Sequence, residues 1–105
     1  MKDFLSTFAR RLKAARLEKG ITQEELGIQS GIDEFSAKAR INQYENGVHT
    51  PHFEIAEKIA STLGIPTAYF YSRKDDEAEL LCLFHHMSDE AKQQLLSQAK
   101  SHDSE

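Results

Sequence analysis

Four of the five glycines stand at positions 20, 31, 47 and 64. Each closes a run whose apolar residues recur at three- and four-residue steps. That spacing lines one face of a helix with about 3.6 residues per turn, and a glycine just past the last periodic residue is a helix stop. In the first run Leu5, Phe8, Leu12 and Ala15 share a face, and Arg10, Arg11 and Lys13 read as a solvated one. "TQEEL" opens the second run, where Thr22 and Glu25 have the spacing of a capping box, with Leu26 and Ile28 as its apolar contacts. A third helix ends near Asn46-Gly47. A fourth runs from Pro51 through Phe53, Ile55, Ala56, Ile59 and Ala60 to Leu63, and "IPTAYFY" gives a fifth, short element. No sustained period-two alternation is present, so the expected class is all-α.

The last third differs in charge. Residues 1–74 carry 11 Lys/Arg against 9 Asp/Glu, a balance of +2, whereas residues 75–105 carry 2 against 8, a balance of −6. The net charge of −4 is therefore a property of the tail, and the body is mildly basic. Within the tail Leu80, Phe84, Met87 and Ala91 recur at helical spacing, and Ser88 followed by two acids reads as an N-cap. A helical hairpin over about 76–87 and 89–100 is expected. Its apolar residues Leu80, Leu81, Phe84, Met87, Leu95 and Leu96, beside Tyr69 and Phe70, either pack within the chain or join two copies; both readings stay open.

No apolar run reaches the roughly 18–20 residues that span a bilayer, and the N-terminus has no secretory apolar region. A single cysteine, Cys82, forms no internal disulfide, which fits a reducing compartment. The expected location is cytoplasmic, with no membrane partner. Cys82, His85 and His86 are neighbours on one helix but lack a fourth ligand, so no metal is expected. No nucleophile–base pair, glycine-rich phosphate loop or carboxylate dyad is identifiable, and neither catalysis nor a cofactor is expected.

"TQEELGIQSGI" joins a capped short helix to a turn glycine and a further helix, the sequence form of a helix-turn-helix. Together with "RLKAARLEKG" before it and "INQYENG" and "TPHFEIAEKIASTLGIPTAYFY" after it, the chain resembles the Cro and lambda-repressor-like family, also called the xenobiotic-response-element family, over about residues 4–71. The resemblance implies a five-helix DNA-binding domain, here followed by the C-terminal helical hairpin. It also implies that Gln23, at the start of the second helix, bonds a DNA phosphate, and that Arg16 and Glu45 form a structural ion pair. Asn46 and His49, in the loop after the reading helix, would meet further phosphates.

The faces of the third helix follow from periodicity alone. Ala37, Ile41 and Tyr44 share the apolar face, and Lys38, Ala39, Asn42 and Gln43 fall opposite. Those four also match the family's base-facing positions. Asn and Gln can bond adenine bidentately, Lys can reach guanine, and an Ala methyl can meet a thymine methyl. Arg40 lies between the faces and suits a phosphate.

Two departures stand out. Gly27 occupies a position where the family usually has alanine, which either costs helix stability or permits close packing. Between Gly31 and Ile41 the chain is about four residues longer than family members, around "DEFS". Asp33 could cap an extended helix. The favoured reading is instead a longer loop with Ser36 as N-cap and Phe35 folded back, because burying a Phe gains roughly 1.5–3 kcal/mol.

The expected function is a sequence-specific DNA-binding transcriptional regulator, a repressor acting as a homodimer on double-stranded DNA. Residues 1–72 would form the DNA-binding domain and 73–105 an acidic tail for dimerisation or an effector. The alternative is a protein-interaction module, an antitoxin or adaptor, whose partner binds the acidic helical tail.

Overall fold

The computed structural model describes residues 2–103, with side chains from residue 7 onward. Leu5, expected on the inner face of the first helix, lies outside the described side chains. Six α-helices follow in order: α1 (Lys2–Lys19), α2 (Gln23–Gln29), α3 (Glu34–Glu45), α4 (Phe53–Leu63), α5 (Asp75–His85) and α6 (Asp89–Asp103). A 3-10 turn, Thr67–Tyr71, stands between α4 and α5 and is the short aromatic element. Among the described residues there is no strand, and no helix is long and apolar enough to cross a membrane.

The core lies where α1, α2, α3, α4 and the 3-10 turn meet. Phe8, Leu12, Leu26, Ile41, Ile59 and Phe70 are almost fully excluded from water, each worth roughly 1.5–3 kcal/mol of burial. Phe8 packs on Phe70 with ring centroids 4.9 Å apart and on Tyr71 at 5.6 Å. Helix α4 ends at Gly64, whose φ of +71° turns the chain so that the following Ile65 amide donates back to the Ala60 carbonyl at 3.0 Å. Two apolar residues expected inside are not: Phe53 is 59% exposed and Ile28 is 45% exposed.

Arg11 also departs from expectation. It is buried rather than solvated. Its Nε donates to the Ser72 carbonyl at 3.0 Å, and its guanidinium donates to the Arg73 carbonyl at 3.3 Å. The same group pairs with Asp75 at 3.0 Å and lies over the Tyr69 ring at 5.5 Å from its centroid. Arg10 reaches Asp75 at 3.5 Å. One arginine on α1 thus satisfies the carbonyls of the 72–73 connection and seats the N-terminus of α5, where acids favour the helix dipole. Ala78 is the buried residue of α5. Helix α6 buries no residue, and its Lys92 ammonium lies 5.4 Å from the Phe84 ring centroid on α5.

The segment expected as a loop is helix from Glu34 onward. Asp33 is the N-cap of α3 and accepts from the Phe35 amide at 3.0 Å. Ser36 sits inside the helix, and Phe35 is 90% exposed. The physical reason is upstream. Ile32 is buried, and its amide bonds the Gly27 carbonyl at 2.9 Å, so the turn leaves no slack. With Ile32 pinned, the chain must start α3 at once, and the burial of Phe35 is forgone.

A candidate nucleic-acid interface between α2 and α3

Helix α2 opens with the capping box: the Glu25 amide donates to the Thr22 hydroxyl and the Thr22 amide to Glu25 Oε1, both at 3.0 Å. These bonds hold the Glu25 carboxyl below its ordinary range. At the next position, Gln23 Nε2 donates to Glu45 Oε1 at 3.1 Å. Glu45 also takes Arg16, with Nε 2.6 Å from Oε2 and the second contact at 3.1 Å. Arg16 completes its fork on the Ile21 carbonyl at 2.9 Å. The pair is enclosed, with side chains 11% and 2% exposed. The bond to Glu45 raises the Arg16 pKa above its ordinary value, against the opposing effect of burial. One carboxylate on α3 therefore locks α1 and the start of α2 to the helix it belongs to.

Gly27 sets how close α2 and α3 come. A Cβ there would lie 2.6 Å from Ala37 Cβ and 2.9 Å from both Ala37 Cα and its carbonyl oxygen. Of the two sequence readings, close packing is the correct one.

Held this way, α3 turns Lys38, Ala39 and Asn42 to solvent, and they line a shallow depression with Gln23, Glu24, Glu34 and Phe35. Gln43 is half-buried at the margin of that face rather than fully outward, and its carbonyl accepts from the Val48 amide at 3.0 Å. Asn42 Oδ1 accepts from Asn46 Nδ2 at 3.0 Å, so Asn46 stands one turn along the same stripe. Arg40 is exposed, its Nε donating to the Tyr44 hydroxyl at 3.3 Å, which directs the guanidinium along the flank. His49 is exposed in the loop after α3. Sequence reasoning did not include Glu24 on this surface, although its place beside Gln23 in the first turn of α2 is the signal for it.

At the other end, His85 and His86 meet edge to face with centroids 5.2 Å apart, and His86 Nδ1 donates to the Cys82 carbonyl at 2.8 Å. No three His, Cys, Asp or Glu residues converge as a metal-holding group among the described residues.

A family model described as helix-turn-helix matches residues 12–70. Among solved structures, the crystal structure of the transcriptional regulator BswR is 41% identical, with a TM-score of 0.81, covering 89% of this chain and 92% of that one. That coverage exceeds what residues 1–72 hold, so the likeness runs into the C-terminal helices. No curated protein matches the chain significantly.

Proposed function

This chain belongs to the Cro and lambda-repressor-like helix-turn-helix family, and we infer from that premise that it is a DNA-binding transcriptional regulator that reads the major groove with α3. The observation that carries the reading is the α3 stripe itself. Lys38, Ala39 and Asn42 are exposed together on a helix that the Arg16–Glu45–Gln23 network and the Gly27–Ala37 approach hold rigidly. A preorganised face loses little order on binding, and these residue types suit base edges. Gln43 joins from the margin. Phosphate contacts fall to the α2 N-terminus at Gln23 and to Arg40, Asn46 and His49. Gln23 would give one Nε2 hydrogen to Glu45 and donate the other to a phosphate oxygen.

Repression is the simplest outcome, since a body seated on a promoter excludes polymerase without any further contact. In this proposal residues 1–72 read DNA and 73–105 act apart from it, in the cytoplasm. Leu80, Leu83 and Leu96 are exposed on the C-terminal helices and are the candidates for joining two copies, whose α3 helices would need a separation of about 34 Å.

In-vitro selection of bound duplexes tests the reading. Asn42→Ala should relax the preference at one base position, whereas Gln23→Ala should weaken all sequences alike and, because the amide is neutral, leave the salt dependence unchanged. Equal loss at every position for Asn42→Ala would remove Asn42 from the base-reading set.

A second reading rests on α6, which buries nothing and is acidic in its first turn. On that view the tail is the docking surface for a protein, as in an adaptor or antitoxin. Failure of the full chain to bind any duplex at low salt would favour it.

A further inference from the structure

Phe35 is the most exposed large hydrophobic side chain among the described residues, at 90%; the next are at 59%. Its backbone is fixed, because its amide is held by the Asp33 cap at 3.0 Å. At about 100° per residue it lies about 20° from Asn42 and about 40° from Ala39 around the axis of α3. Phe35 is therefore in the middle of the stripe, flanked by Lys38 on one side and Ala39 on the other. It lines the same depression as Lys38, Ala39 and Asn42, one turn nearer the N-terminus, where recognition helices reach base edges.

We propose that Phe35 is a specificity-determining residue that reads a thymine through its 5-methyl group in the major groove. The proposal rests on the DNA-binding reading given above. A phenyl ring carries no donor or acceptor, so it cannot distinguish bases by hydrogen bonding. The thymine methyl is the apolar group that the major groove displays, and apolar side chains recognise it. Lys38 and Asn42 read hydrogen-bonding edges, and Phe35 adds the one kind of contact they lack. The rise of about 1.5 Å per residue puts Phe35 about 6 Å from Ala39 along the helix. With base pairs about 3.4 Å apart, the thymine lies about one to two pairs from the base beneath Ala39.

The test uses the full chain. Bound duplexes are selected with the wild type and with Phe35→Ala, and each thymine of the selected site is then replaced in turn by deoxyuridine, which lacks only the methyl. Phe35→Ala should still bind but lose a preference for thymine at one position. Deoxyuridine there should weaken the wild type roughly fourfold, the worth of one buried methyl group, and change Phe35→Ala less than twofold. Four results would overturn the proposal: an unchanged selected site; weaker binding by Phe35→Ala with no deoxyuridine effect on the wild type, which marks a wedge between bases; a change in self-association without DNA, which marks a contact between chains; or a lowered thermal midpoint, which means the side chain is not free. Wild type that binds no duplex defeats the DNA-binding reading itself and this inference with it, an outcome distinct from the other four.

Discussion

Replacing Gly27 by alanine separates two forces of opposite sign. Alanine in a helix interior is favoured over glycine by about 1 kcal/mol, so local propensity alone predicts a more stable protein. The new Cβ, however, would meet Ala37 Cβ at 2.6 Å and the Ala37 Cα and carbonyl oxygen at 2.9 Å. Two of those atoms are backbone and cannot rotate away, so α2 and α3 must separate. Overpacking of this kind costs about 1–3 kcal/mol, and the upper end applies because no side-chain motion relieves it. The expected net loss is about 2 kcal/mol, or a thermal midpoint lower by about 8–16 °C for a domain of this size. Thermal unfolding followed by circular dichroism measures it. Adding Ala37→Gly removes the 2.6 Å contact, so the double variant should be more stable than the sum of the single effects by at least about 0.5 kcal/mol. A raised midpoint in Gly27→Ala, or strict additivity in the double variant, would refute the close-packing argument.

Two further perturbations address the supports of the site. Glu45→Ala leaves the enclosed Arg16 without its carboxylate and should cost about 3 kcal/mol in urea unfolding, the lower end for a broken buried pair because Arg16 keeps the Ile21 carbonyl; a loss below about 1 kcal/mol, the scale of a surface pair, contradicts it. Asp75 is held below its ordinary value of 3.8 by its bond to Arg11, by the Arg11 charge and by Arg10. A carboxyl with a lowered folded pKa contributes stability that is full above its ordinary, unfolded value and is lost as pH falls through the folded one. The stability gap between wild type and Asp75→Asn should therefore close on acidification below pH 3.8, as read by urea midpoints; a gap unchanged down to the acid limb would show that Asp75 is not the group responsible.

Local signals were legible wherever the cause lay within a turn or two. The helix stops, the Thr22–Glu25 box and the inner face of α3 at Ala37, Ile41 and Tyr44 all follow from spacing. The start of α3 departs from expectation because the gain from burying Phe35 is not the only force beside the cap. Ile32 directly before Asp33, with Ala37 four residues into the helix, has the spacing of a hydrophobic staple, and both are buried. That pair pointed to the cap at Asp33. Arg11 departs from its expected face for a different reason. It lies three residues after Phe8 and four before Ala15, on the inner face, but its partners are the carbonyls of residues 72 and 73, and no local pattern announces a contact across sixty residues. Nothing in the period of α3 distinguishes Gln43, at the margin, from Asn42; the loop amide of Val48 folding onto that turn does. The Arg16–Glu45 pair came from the family resemblance rather than from spacing.

In the proposed function the α2–α3 face, not the acidic tail, meets DNA. Amide chemical shifts of the isotope-labelled chain during titration with its selected duplex test this most directly. Perturbations should concentrate at the start of α2, at Phe35 to Gln43 on α3 and at Asn46 to His49, with α6 unmoved. Shifts confined to α5 and α6, with α3 silent at saturation, would contradict it.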